Sequence, residues 1–495
     1  MSHKTESELK EEAEALWADL KGKDLTVKER LAIPPQEMPA RDPLKRAREM
    51  GEVALGYSEA QTQVEAARCL GCKNRPCVAG CPVSVPIPEF IACIQKGDYK
   101  QAIDTIKTTN LLPAICGRVC PQEKQCQSQC TVGKSLKDME KAVAIGRLER
   151  YVADWEREHN KITQPEIAPA TGKKVAVIGS GPAGLTVAAD VRRNGHEVTV
   201  FEAFHKTGGV MVYGIPEFRL PKAIVAKEVD NLKKMGVSFR TNFLVGRTET
   251  IEELLDRENF DAVFIGTGAG LPKFLNIEGE NLIGVFSANE YLTRANLMKA
   301  YDTERAATPL YPAKTVAVVG GGNVAMDAAR MALRLGAEKV YCIYRRTRAE
   351  MPARREEVVH AEEEGVDFLY LRNPTRVLGG EDGKVTAIEL LEYELGEPDA
   401  SGRRSPVEKP GTEYQIPVDA VIVALGNESN PLMAATTAGL EVTKRGNIVV
   451  DENQKTSLKK VWAGGDIVLG AATVILAMGE GRIAAANINR FLAGE

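Results

Sequence analysis

No stretch of this 495-residue chain approaches the roughly 20 consecutive apolar residues that a bilayer-spanning helix needs. The opening MSHKTESELK also lacks the basic start and apolar centre of a secretory signal. An excess of either charge is missing too. Against 64 Lys and Arg stand 68 Asp and Glu, a net charge of -4, so nothing draws the chain globally to nucleic acid or an anionic membrane. These absences point to a cytoplasmic protein with neither nucleic acid nor membrane as partner. Its 44% hydrophobic and 27% charged residues are ordinary for globular protein, and the length suggests about three domains.

Cysteine is scarce over most of the chain and crowded in one part: nine of the ten fall between Cys69 and Cys130, and only Cys342 lies elsewhere. In a reducing compartment such crowding favours metal over disulfides. The first run reads Cys69-x2-Cys72-x4-Cys77-x3-Cys81-Pro82, the second Cys116-x3-Cys120-Pro121-x4-Cys126-x3-Cys130. Loops with such spacings fold back and wrap a cubane, and a trailing Cys-Pro marks ferredoxin-like runs whose last cysteine ligates the other cluster. Structural zinc would favour two clean Cys-x2-Cys pairs, and the run has one; disulfides or inert thiols are the remaining reading. Helical patterns over Ile87 to Gly97, Tyr99 to Lys107 and Val143 to Trp155 surround the cysteines. They predict a small α-helical domain ending near Asn160, followed by a Pro-, Ala- and Thr-rich linker (Thr163 to Gly172). Upstream, Glu6 to Lys21 reads as a solvated helix, and Asp42 to Leu55 as a segment that packs on the cysteine region or on a partner subunit.

From Val175 to Glu202 the chain gives strand, glycine turn, helix, strand and acid in the order of a dinucleotide-binding unit. Gly179 allows the tight turn, Gly181 opens the approach to a pyrophosphate, and Gly184 lets helix and strand pack closely, with Pro182 and Ala183 opening the helix. Glu202, 18 residues beyond Gly184, can accept from a ribose hydroxyl. Gly208 and Gly209 follow. An ordinary βαβ turn is the plain alternative. No cysteine lies between Cys130 and Cys342, whereas flavin enzymes that reduce disulfides carry a close pair near the flavin. Electrons from a flavin held here must leave by another route.

A second unit starts at Thr315, with Gly320-Gly321-Gly322-Asn323-Val324-Ala325 as the variant turn. Its second strand (Val340 to Tyr344) ends in Arg345 and Arg346, not in an acid, with Arg348 close by. Guanidinium groups pair with a 2′-phosphate that an acid would repel, so NADP is expected over NAD. A solvated arginine run is the bland reading. The candidate NADP contacts are Gly320, Gly321, Gly322, Asn323, Val324, Arg345, Arg346 and Arg354. Two related strands, in Asp261 to Gly268 and Asp419 to Gly426, follow the two motifs, which suggests that the second domain is inserted in the first. The stretch Val461 to Asp466 then completes the first. Gly465 and Asp466 end a short strand and Thr473 opens a last helix running to about Leu492. Asp466 can bond a ribityl hydroxyl, or simply cap the helix, and the helix dipole can stabilise charge on a reduced flavin.

The expected fold class is α/β, two Rossmann-like doubly wound domains, the second inserted in the first, preceded by an α-helical iron–sulfur domain. The boundaries are a helical extension at 1–40, a cluster domain at 41–172, FAD-binding segments at 173–294 and 426–495, and an NADP(H) domain at 295–425.

Through RCLGCKNRPCVAGCP, LPAICGRVCPQEKQC, AIGRLERYVADW, VIGSGPAG, VVGGGNVAMD and AGGD, the chain resembles the small (beta) subunit family of NADPH-dependent glutamate synthase. The resemblance runs from Arg41 to the C-terminus and is strongest to the homologous large (beta) subunit of NADH-dependent ferredoxin:NADP oxidoreductase. The flavin half of dihydropyrimidine dehydrogenase is also similar. The resemblance implies FAD, NADP(H) and two [4Fe-4S] clusters with crossed ligation: Cys69, Cys72, Cys77 and Cys130 for one, and Cys81, Cys120, Cys126 and Glu149 for the other. Spacing alone reads Glu149 as a surface acid. Cys93, Cys116 and Cys342 then read as buried small hydrophobes. Cofactors carry the chemistry, and no acid–base residue is expected as catalyst. The implied activity moves electrons between NADP(H) and ferredoxin or another small carrier, beside a second flavin or iron–sulfur subunit in a hetero-oligomer; flavin-based bifurcation is a further mode that the resemblance admits. The rival is a glutamate synthase small subunit feeding an FMN-containing large subunit, and a zinc-bound, non-catalytic scaffold is a reading of another class. Lys73, Arg75, Lys96, Lys100, Arg118 and Lys124 make either a basic docking face or a solvated surface.

Overall fold

A computed structural model of the protein describes residues 4–398, 402 and 404–495. Among these residues no helix is long and apolar enough to cross a membrane.

Short helices build the first third. The helix Glu6–Leu20 starts on a capping box between Thr5 and Glu8 and is not simply solvated. Leu9 and Ala13 are buried, and Leu16, Trp17 and Leu20 pack on Val64 and Ala67 of the helix Glu59–Ala67. These positions form a stripe at helical spacing, too narrow to stand out among so many charges. The helices expected around the cysteines are present as Ile87–Gln95, Tyr99–Lys107 and Ile145–Glu158.

Two five-stranded parallel sheets follow. The first runs in the order 461–463, 262–265, 174–178, 197–201, 238–240. Its edge strand Val461–Ala463 comes from the far side of the second domain, so the chain does return to complete the first. Apolar strands such as Lys174–Ile178, buried at four of five positions, are what a sheet covered on both faces requires. The second sheet has the order 285–287, 420–423, 315–319, 339–344, 366–370. Its strand Val285–Ser287 lies upstream of residue 295 and pairs with Ala420–Val423, so the second sheet begins earlier than the expected boundary. A two-stranded ribbon, Leu271–Pro272 with Asn427–Glu428, links the halves. An antiparallel extension around the long strand Val385–Pro398 was not expected from the sequence.

The segment 41–53 straps the second nucleotide unit to the rest. Arg46, 2% exposed, reaches Glu364 at 3.0 Å and Glu363 at 2.5 Å, and Arg48 donates to the carbonyls of Leu333 (2.9 Å) and Ala337 (3.0 Å). Glu364 also takes Arg330 (2.7 Å) and Arg334 (2.6 Å), whose guanidinium groups lie over the Phe218 ring. Arg219 closes the network on Asp327 (2.7 Å) and Glu357 (3.1 Å). Burial works against the charged form of Glu364, but Arg330 and Arg334 outweigh it and hold the carboxyl at about 2. A depressed carboxyl stabilises the fold above its ordinary value and loses that contribution as pH falls through its folded one. Stability should therefore fall between pH 4.5 and about 2. Glu364→Gln, which removes the carboxylate that three buried cations share and leaves Arg334 without an acid partner, should cost about 3–5 kcal/mol in urea unfolding at neutral pH and flatten the dependence in that window. An unchanged midpoint would contradict this account of the strap.

Candidate redox site

The thiols fall into two groups. Cys69, Cys72 and Cys77, half-buried, and Cys130, buried, line an apolar pocket with Ile87, Ile91 and Val143. Burial pushes the Cys69 thiol up to about 11, with Cys130 and Cys72 adding to it, and Cys77 up to about 12, with Cys69 and Cys130 adding. The second group is Cys81, Cys120, Cys126 and Glu149. Burial raises Cys81 to about 11 beside Glu149 and Cys120. Cys126 is raised by burial and then by Cys81, Cys120 and Glu149. Cys120 is raised first by its hydrogen bond with Cys116, then by burial. Each member thus crowds other members of its own group.

Glu149 is buried on the inner face of the helix Ile145–Glu158, not on its surface. Burial lifts its carboxyl to about 8 against the opposing hydrogen bond from Asn110 Nδ2 at 2.7 Å, and no Lys or Arg shares in the balance. Two buried thiols, the half-buried Cys81 and a buried acid without a cation make a donor set for a positively charged centre. No three His, Cys, Asp or Glu side chains among the described residues close on a point as around one ion. The first group instead lines a cavity, which suits terminal ligands spread over a cubane. Asn110 carries no motif that marks it in the sequence as the partner of Glu149. Of the remaining thiols, Cys116 is buried 3.7 Å from Met478 Sδ, Cys342 is buried in the second sheet, and Cys93 is half-buried.

In the first glycine turn, Gly179 takes φ +99°, and a Cβ there would stand 2.5 Å from the Gly266 carbonyl oxygen. A Cβ on Gly184 would strike the Gly179 carbonyl, but one on Gly181 would meet nothing within 4 Å. That open space over a helix N-terminus, with Pro182 and Ala183 in its first turn, is what a pyrophosphate needs. Glu202 is buried; its Oε2 accepts from Ser180 N (3.0 Å) and from the Ser180 hydroxyl, and Oε1 from Phe204 N (2.9 Å). Ser180 Oγ in turn accepts from Gly208 N at 2.9 Å, drawing the Gly208-Gly209 turn over the motif. The sequence reading passed over Ser180, although a serine between motif glycines is well placed for such bonds. Tyr213, raised to about 12 by burial, feels both Asp466 and Glu202, so the two ends of the first domain meet here. Burial lifts Asp466 to about 6, Gly465 N donates to Glu480 Oε2 (2.7 Å), and Thr473 caps the helix Val474–Ala493.

In the second turn, Gly320 takes φ +147°, Gly321 packs on the Tyr344 ring, and Gly322 is open to 4.0 Å. Val324 is partly exposed, and Asn323 Oδ1 accepts from Arg354 N at 2.9 Å. The arginines divide. Arg345 and Arg348 are exposed, the latter paired with Glu362 at 2.9 Å. Arg346 is buried, with Nε on the Arg404 carbonyl at 2.8 Å. The Arg354 head turns into the helical domain, onto the Arg118 carbonyl (2.7 Å). Of the basic residues near the clusters, Arg118 is also buried, on Glu52 and Asp154, and Lys124 Nζ donates to the Pro352 carbonyl, which breaks up a single docking face.

The helix Val474–Ala493 joins the halves. A Cβ on Gly481 would stand 2.7 Å from the Ala183 carbonyl oxygen, and one on Gly479 3.0 Å from that of Pro82, next to Cys81. Gln125 Nε2 also reaches Thr473 Oγ1 at 3.4 Å.

Residues 46–161 match the family described as dihydropyrimidine dehydrogenase domain II, 4Fe-4S cluster, and residues 173–481 match pyridine nucleotide-disulphide oxidoreductase. The glutamate synthase [NADPH] small chains of Halomonas elongata and Escherichia coli K12 are each 38% identical over 92% of this chain and 96% of their own length. The NADPH-Fe(3+) oxidoreductase subunit beta of Geobacter sulfurreducens is 36% identical over 84% of this chain and 63% of its own length. Among solved structures, Mycobacterium tuberculosis FprA in complex with NADPH aligns at TM-score 0.55 and 19% identity, covering 65% of this chain and 85% of that one, a likeness of fold. With 38% identity over almost the whole of both chains, this chain belongs to the family of the small chain of NADPH-dependent glutamate synthase.

Proposed function

We propose that the chain is the electron-transfer subunit of a hetero-oligomeric oxidoreductase, working between NADP(H) and ferredoxin or a similar small carrier. When bound, FAD would exchange a hydride with NADP(H) and single electrons with two [4Fe-4S] clusters. The observation that carries the reading is the division of seven thiols and Glu149 into two donor groups, one of them against a helix shared with the first nucleotide unit. Cys69, Cys72, Cys77 and Cys130 would hold the outer cluster, and Cys81, Cys120, Cys126 and Glu149 the inner. Gly181 leaves room for a pyrophosphate where Gly179, Gly184, Gly208 and Gly209 let the turns close tightly around it, Glu202 orients a ribose, and Gly465, Asp466 and Thr473 frame the flavin end. Gly320, Gly321 and Gly322 would cradle the second nucleotide, with Arg345 and Arg348 as its phosphate readers. The half-buried outer thiols favour that cluster as the exit to a partner.

The 38% identity to glutamate synthase small chains favours a second reading, in which the partner is an FMN-containing large subunit. Measuring NADPH-dependent glutamate formation with candidate large subunits, against ferredoxin reduction by the chain alone, separates the two. Formation of glutamate only in the complex would select the second.

Three outcomes test the assignments. Gly181→Ala should fold with unchanged thermal stability and lose bound flavin, whereas Gly184→Ala, overpacked against the Gly179 carbonyl, should lose about 1–3 kcal/mol of stability first. Equal behaviour of the pair would remove the pyrophosphate from Gly181. Cys77→Ser should lower iron by about four atoms per chain and Glu149→Ala should alter one of two EPR signals; full iron, or two intact signals, would refute the ligand sets. Arg345→Ala with Arg348→Ala should raise KM for NADPH roughly tenfold, the worth of about one charge-assisted hydrogen bond, and leave that for NADH nearly unchanged. Parallel changes would mean that neither arginine reads the phosphate.

A further inference from the structure

Arg354 precedes the helix Arg355–Glu363 of the second nucleotide unit, yet its head lies in the helical domain. Nη1 donates to the Arg118 carbonyl at 2.7 Å and Nη2 to Gln122 Oε1 at 3.3 Å. Arg118 is in the last turn of Pro113–Val119, a helix whose C-cap is Cys120. The guanidinium therefore occupies the negative end of that helix, beside a thiol of the inner group. It is 8% exposed, and Nε is buried with no hydrogen-bond partner; Glu123 lies 3.8 Å away and Glu356 at 3.2 Å from Nη2. The Arg354 backbone N–H, meanwhile, is tied to Asn323 in the glycine turn.

We propose that Arg354 sets the reduction potential of the inner cluster by holding a buried positive charge at Cys120, and does not read the 2′-phosphate of NADP. The proposal rests on the cluster assignment made above. Adding an electron to a centre already bound by three thiolates and a carboxylate is opposed by like charge, and a cation held nearby in low dielectric offsets that opposition. Removing the charge must lower the potential. A lysine keeps the charge while losing the fork that grips the Arg118 carbonyl and Gln122.

The test is a potentiometric titration, followed by EPR, of the anaerobically purified full chain as wild type, Arg354→Gln, Arg354→Met and Arg354→Lys, together with KM for NADPH and NADH. Both neutral variants should shift the midpoint of the signal that Glu149→Ala alters to lower potential, and leave the other signal in place. Arg354→Lys should stay nearer to wild type, and the ratio of the two KM values should not move. An unchanged midpoint, an equal fall in both signals, or a rise in KM for NADPH alone would overturn the proposal. A wild-type chain with no second signal would overturn the cluster assignment itself, and the role of Arg354 with it.

Discussion

One helix has to touch two domains at once, and the rest of the arrangement depends on that contact. Along Val474–Ala493, Gly479 faces the Pro82 carbonyl and Gly481 the Ala183 carbonyl. Two residues along an α-helix is a rotation of about 200°, so these glycines look to nearly opposite sides. One side lies on the helix that opens at the first glycine turn, the other on the backbone next to Cys81. Any side chain at either position would push the nucleotide unit and the inner thiol group apart, and electron transfer depends on their closeness.

The second nucleotide unit is held by charge instead. Arg46, Arg219, Arg330 and Arg334 share Asp327, Glu357, Glu363 and Glu364 in a nearly closed network under the Phe218 ring. Buried ion pairs are weak evidence for stability but strongly resist being parted. The thin ribbon at 271–272 and 427–428 would by itself leave the unit free to turn. The strap from 41 to 53, with Arg354 reaching into the helical domain, fixes it against both neighbours.

Much of this was legible because glycine turns, Cys-Pro runs and strand-end acids have local mechanical reasons. The two sheets and the return of the chain at Val461 could be read from repeated motifs alone. What escaped depends on distant partners. Glu149 looks like a surface acid until Asn110 and the inner thiols close over it. Arg346 and Arg354 follow the second motif in sequence, but the carbonyls of Arg404 and Arg118 that they reach lie far along the chain. The apolar stripe of Glu6–Leu20 gains meaning only beside Val64 and Ala67, and the strand Val285–Ser287 is too short to declare its sheet.

The account stands on both kinds of cofactor sharing one chain, and the direct measurement is the metal, sulfide and flavin content of that chain isolated without oxygen. It predicts about eight iron, eight acid-labile sulfide and one FAD per chain. Zinc in place of iron, or iron without flavin, would contradict it.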